Sequence, residues 1–74
     1  MRFPRITHHP LRMGGKPCIR DLRVTVGTVV GLLATQTRER VLAAYPYLEP
    51  ADLDEALAYA AWRLEEREEP LAAL

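Results

Sequence analysis

Three groups of side chains in this 74-residue chain have types that could do chemistry: Gly14-Gly15-Lys16, the pair His8-His9 with Cys18 further on, and the carboxylates Asp52, Asp54 and Glu55. A glycine-rich loop ending in lysine can cradle a phosphate. That pattern needs a glycine five residues before Gly15 and Ser or Thr after the lysine, and Pro10 and Pro17 stand in those places. The two glycines therefore read as a turn, since glycine reaches positive φ at little steric cost. His8 and His9 are adjacent, so in an extended segment they point to opposite faces and do not chelate one ion together. Cys18 would act as a nucleophile only beside a histidine and an orienting acid, and as a small apolar strand residue it needs neither. Being the single cysteine, it forms no internal disulfide and suggests no metal site. No segment brings a base, a nucleophile and an oxyanion donor together. The chain reads as a protein that is not an enzyme and uses no cofactor or metal.

Recognition is the chemistry that remains. Formal net charge is zero, which argues against wrapping nucleic acid by charge alone. Yet residues 1–40 hold eight Lys and Arg against two Asp and Glu, while residues 41–74 hold two against eight. Such a split fits two surfaces with different partners or head-to-tail self-association, the plain alternative being two solvated surfaces that differ in sign. The candidates for touching nucleic acid are Arg12, Lys16, Arg20 and Arg23, with Arg38 and Arg40 behind them. Arginines on a β-ribbon can read a groove. Equally, Arg20 and Arg23 could pair with Asp21 or with the later carboxylates as internal salt bridges, and the sequence leaves both readings open.

These residues need elements to hold them. Arg5-Ile6-Thr7 is a short β-compatible run that can pair with Pro17–Arg20 across the glycine turn. Pro17 sets an extended path, and the side chains after it alternate, with Cys18, Arg20 and Leu22 opposite Ile19, Asp21 and Arg23. Thr25 reads as the N-cap of a first helix with Val26, Val29, Val30 and Leu33 on one face, stopping near 34–36. Gly27 and Gly31 leave a smooth flank on it. Thr37 caps a short second helix, Arg38–Tyr45, which Pro46 ends. A third opens with Pro50 at its first position, carries a core stripe of Leu53, Ala56, Leu57, Ala60 and Leu64, and runs to about Glu68. Trp62 lies nine residues after Leu53, about 180° around the helix, with Tyr59 on the same far side. Aromatics facing away from a small core anchor interfaces, so Tyr59, Trp62 and the apolar tail residue Leu71 are the candidate partner contacts. The alternative is that the N-terminal arm folds over and covers Trp62 within one chain.

Several of these stretches carry a family resemblance. Gly14-Gly15-Lys16-Pro17, then Ile19 and Arg20-x-x-Arg23-Val24-x-Val26, resembles the signature of domain-of-unknown-function family 433. Tyr45-Pro46-Tyr47-Leu48 and the helix ending Ala56-Leu57-Ala58-Tyr59-Ala60 match the same pattern, over residues 5 to 61 in all. Family members usually have glycine where Gln36 stands and threonine as the cap where Glu49 stands. The resemblance implies a VapB-type antitoxin-like protein, built as a short N-terminal β-arm followed by a three-helix, homeodomain-like unit. It implies a PIN-like ribonuclease toxin as partner. Such enzymes hold Mg²⁺ with carboxylates, among which an antitoxin arginine could be placed as an inhibitory device.

The expectation is thus one mostly α domain over residues 1–74. A β-arm or hairpin spans 5–25, a three-helix, helix-turn-helix-like unit spans 26–69, and a tail spans 70–74. Used as a recognition helix, the third helix would lead with Asp52, Asp54 and Glu55, which repel phosphate, so any DNA contact falls to the basic arm. The expected function is a cytoplasmic antitoxin-like protein, forming homo-oligomers, that neutralises a toxin and could bind its own promoter. The alternative is a stand-alone dimeric DNA-binding regulator, and a third reading is a structural oligomer whose charged halves pair head to tail. No apolar run approaches a membrane span, so no membrane partner is expected.

Overall fold

A computed structural model describes residues 3–66. The order of elements is β1 (Ile6–Thr7), a 3₁₀ turn (Met13–Gly15), β2 (Cys18–Ile19), α1 (Val26–Leu33), α2 (Arg38–Ala44) and α3 (Pro50–Glu66). This is the expected architecture, a short antiparallel hairpin followed by three helices. The hairpin pairs Ile6 with Ile19 and Thr7 with Cys18. On its other edge Cys18 bridges to Thr25, and Val26 N–H donates to the Pro17 carbonyl at 2.9 Å. β2 is therefore bordered on both sides, and both of its residues are buried.

The alternation expected from Cys18 through Arg23 breaks at its centre. Arg20 and Asp21 both take positive φ, 44° and 63°, and Leu22 N–H closes back on the Ile19 carbonyl at 2.7 Å. Two left-handed residues inside such a bond are the pattern of a type I′ turn, which glycine or asparagine usually fills. Arg20 and Asp21 occupy it because their groups are held from outside. Asp21 N–H donates to Thr7 Oγ1 at 2.9 Å, and both side chains are engaged in ion pairs. The chain thus doubles back at 20–21, and Val24-Thr25 returns alongside β2.

Both helix caps lie where the hydroxyls predict. Thr25 accepts from Thr28 N–H, and Thr37 accepts from Arg40 N–H, each at 3.1 Å. Val24 and Val29 flank the first cap as a hydrophobic staple would, and both lie in the core. α1 ends at Leu33 with Ala34 still right-handed. Among the described residues positive φ occurs at Met13, Gly14, Gly15, Arg20 and Asp21, so the turn containing Gln36 needs no glycine. α2 stops at Ala44, one residue before the expected end, where Tyr45 leaves helical geometry ahead of Pro46.

The core joins both strands and all three helices through Ile6, Ile19, Val24, Val26, Val29, Val41, Leu48, Leu53, Ala56 and Tyr59. Each buried Val, Leu or Ile side chain contributes about 1.5–3 kcal/mol by leaving water. The stripe on α3 is rotated from its expected position. Leu53 and Ala56 are fully buried, but Leu57 is 41% exposed and Leu64 is 71% exposed, while Asp52 and Tyr59 are buried. The reason is that α3 is covered from two directions: α1 and α2 pack on one flank, and β1 with the residues before it packs on the other. Periodicity read against a single core direction finds only the first.

Candidate functional site: a clamped carboxylate and two open faces

The polar centre of the molecule is Asp52, whose side chain has no exposure. Three groups converge on it. Arg20 donates from Nε to both carboxylate oxygens at 3.0 and 3.2 Å and from Nη2 to Oδ2 at 2.9 Å. Arg5 Nη1 donates to Oδ1 at 2.8 Å, and the Glu49 N–H donates to Oδ2 at 2.8 Å. The last bond caps α3 from within. The residue at its third position reaches back to the N–H of the cap, one half of a capping box. Glu49's own carboxylate is turned instead to Arg5 at 2.7 Å. Burial pushes the Asp52 carboxyl up. The Arg20 hydrogen bonds, the Glu49 N–H and Arg5 outweigh it and hold the group at about 2.

The same arginines tie distant segments together. Arg20 Nη2 also donates to the Tyr47 carbonyl at 2.8 Å, fastening the turn to the α2–α3 connection. Arg5 N–H donates to Glu55, so backbone and side chain of one residue lie along the first two turns of α3. Arg38 pairs with Asp54 at 3.0 Å. Part of the charge split is thus consumed inside the fold, Arg5, Arg20 and Arg38 closing on Glu49, Asp52 and Asp54. It also changes the meaning of the acidic start of α3, where Arg5, Arg20 and Arg38 neutralise Glu49, Asp52 and Asp54.

Aromatic contacts finish the arm. Phe3 meets Tyr59 edge-on with ring centroids 5.2 Å apart and leans on Trp62 at 5.6 Å. His8 Nε2 and Tyr59 Oη lie 3.2 Å apart. Tyr59 is consequently a core residue and Trp62 is half-buried. This corrects the expectation that Tyr59 faces outward and agrees with the alternative in which the arm folds over this side of α3, leaving Trp62 half-covered. Leu71, the third expected partner contact, lies outside the described residues.

The four expected nucleic-acid contacts fall into two classes. Arg20 is committed to Asp52, and Arg12 pairs with Asp21 at 2.7 Å on the surface. Lys16 and Arg23 are exposed and make no ion pair among the described residues. Lys16 lines a shallow groove with Pro17, Thr25, Gly27 and Thr28 at the start of α1. Cys18 is buried, its thiol 3.4 Å from the Lys16 carbonyl. Among the described residues no cluster of His, Cys, Asp and Glu could hold a metal ion, and no helix is long and apolar enough to cross a membrane.

Sequence reasoning missed a second open face. Leu57 and Leu64 are seven residues apart on α3 with exposed Ala61 between them. Beside Leu57 a mostly apolar groove is lined by Val30, Leu33 and Ala34, with Gln36, Thr37 and Arg38 also on its wall. The spacing of these leucines was visible, but it looked like core.

Comparison with known proteins agrees with the resemblance in the turn, the Tyr45–Leu48 connection and α3. The family model DUF433, a protein family of unknown function, matches residues 6–60. The chain belongs to DUF433. No curated protein and no solved structure matched it. The matched region runs from β1 into α3, so it contains the I′ turn, Arg20, Glu49 and Asp52 but begins one residue after Arg5 and stops short of Trp62 and Leu64.

Proposed function

We propose that this DUF433 chain is an antitoxin-like interaction protein that binds and neutralises a PIN-like ribonuclease toxin. In this reading it works in the cytoplasm, assembles with further copies and binds its own promoter DNA through its basic surface. The toxin class comes from the family resemblance. The observation that supports an interaction module is the Leu57–Ala61–Leu64 stripe with its groove against Val30 and Leu33. An apolar stripe at helical spacing, left open on a domain this small, is what a partner's helix or groove recognises. Trp62 lies on the other flank of α3, beside the arm, as a half-buried aromatic of the type that often anchors contacts. The promoter contacts in this reading are Lys16 and Arg23, with Arg12 joining when phosphate replaces Asp21.

The second reading, a stand-alone dimeric DNA-binding regulator, is favoured by the unpaired Lys16 and Arg23 alone. One experiment separates the two. Tagged protein is captured from its native host and the bound material identified by mass spectrometry and by sequencing of any DNA. Leu57→Glu/Leu64→Glu serves as the interface variant and Trp62→Ala as the second. Both leucines are exposed, so the double variant leaves the fold intact by circular dichroism. Recovery of one nuclease-like protein, lost with the double variant, supports the antitoxin reading. Specific DNA without a protein partner, released steeply by salt, selects the regulator.

A further inference from the structure

The arm of this molecule has the construction of an exchangeable element. Its docking contacts are specific and compact: the Phe3 ring on Tyr59 and Trp62, Arg5 on Glu49, Asp52 and Glu55, and Ile6 paired with Ile19. What joins it to the rest is the connection from His8 to Pro17. There Met13, Gly14 and Gly15 take φ of 49°, 66° and 78° in succession. Glycine adopts such angles freely, but methionine does so only against steric resistance from its Cβ. No hydrogen bond or ion pair holds the Met13 side chain, which is 40% exposed, and Leu11 beside it is 89% exposed. The connection is thus both strained and apolar at its tip.

The geometry points to an arm-exchanged dimer, in which residues 3–7 of each chain dock on α3 and β2 of a second copy through the contacts they make here. Exchange conserves every docking contact because the partner's site is identical. Two further changes favour it. Straightening the connection releases Met13 from its left-handed geometry, since a strained hinge favours the open form. It also lays two copies of the segment side by side about the two-fold axis, where Leu11 and Met13 can bury against their counterparts. Against this stand the turn's own backbone bonds, Gly15 N–H to the Arg12 carbonyl at 2.7 Å and Lys16 N–H to the Met13 carbonyl at 3.2 Å, which straightening exchanges for water. The lost freedom of one molecule per dimer also opposes it and makes the equilibrium concentration-dependent. This inference concerns self-association and does not rest on the toxin or DNA reading.

The test uses the full chain. Equal amounts of ¹³C-labelled and unlabelled protein are unfolded, mixed, refolded and concentrated, and isotope-filtered NOE spectra are recorded alongside sedimentation. The expected result is a dimer with cross-peaks between the Phe3 ring of one chain and the Trp62 indole of the other. A monomer at millimolar concentration overturns the inference, as does a dimer in which Phe3–Trp62 peaks arise only within one chain. Met13→Gly removes the strain from the closed form at both hinges and should weaken dimerisation more than tenfold without loss of fold. An unchanged dimerisation constant in that variant would refute the hinge argument.

Discussion

The Arg20 guanidinium and the Asp52 carboxylate, 32 residues apart in sequence, meet through three hydrogen bonds of 2.9–3.2 Å with the carboxylate wholly out of water. The pairing depends on a backbone the sequence does not advertise, an arginine at φ 44° whose left-handed geometry aims its side chain at the start of α3. Strain at Arg20 and the buried charge at Asp52 explain each other. Neither would persist alone.

Removing Asp52 leaves Arg5 and Arg20 without their shared acceptor. Asp52→Ala should destabilise the protein by about 2–3 kcal/mol, less than a fully buried pair would because both arginines are about one-third exposed. Arg20→Ala should cost somewhat less, since Arg5 and the Glu49 N–H still serve the carboxylate. Urea denaturation of the two variants gives the ordering, and equal stability to the parent would mean the clamp contributes nothing net.

Stability should also fall in acid through this group. Asp52 titrates at about 2 in the folded chain against an ordinary 3.8, so its contribution is complete above pH 3.8 and lost as pH falls through 2. The shift corresponds to roughly 2 kcal/mol. Unfolding free energies measured from pH 6 to 2 should therefore decline less steeply for Asp52→Asn than for the parent, and parallel curves would rule the assignment out.

Asp21 tests the turn. Its φ of 63° suits asparagine as well as aspartate, so Asp21→Asn should change stability by less than about 0.5 kcal/mol despite losing the surface pair with Arg12. Asp21→Val places a branched Cβ in the left-handed region and should cost about 1–2 kcal/mol. A thermal melt of each variant is sufficient, and a harmless valine would mean the turn relaxes.

Arm docking can be followed by the single tryptophan. Phe3→Ala removes the ring that leans on Trp62, so indole emission should shift to longer wavelength and quenching by iodide should rise. The loss should cost about 1–2 kcal/mol, the ring contacts adding to the apolar area the half-buried ring gives up. Emission unchanged from the parent would show that the arm does not cover this side of α3.

Cys18 offers a readout of the whole fold. Its thiol is buried between two backbone neighbours, so a disulfide reagent should modify it only through unfolding, and faster in Asp52→Ala by the factor by which that variant's unfolding equilibrium constant rises. Rapid labelling of the native parent would place Cys18 at the surface instead.

Much of this could be read along the chain because it depends on neighbours in sequence. Thr25 and Thr37 mark their helices by bonding three residues ahead, Pro46 and Pro50 set an end and a beginning, and Gly14-Gly15 announce the turn between strands. These interactions act within one turn of backbone, so residue type and spacing suffice to predict them. The membership in DUF433 was legible on the same grounds, in turn residues and helix spacing.

Tertiary structure decided which residues were spent and which were left. From sequence alone Arg20 was as good a nucleic-acid contact as Arg23, and Tyr59 as good an interface residue as Trp62. The fold separates each pair. Arg20 is drawn onto Asp52 by a turn that only long-range bonds stabilise, and Tyr59 is closed in by an arm more than fifty residues earlier. Burial and charge pairing depend on what arrives from elsewhere in the chain, and helical periodicity gives the angle of a side chain without saying what stands opposite it. That is why Leu57 and Leu64 read as core and stand open, and why an acidic helix start that seemed bare is filled by arginines.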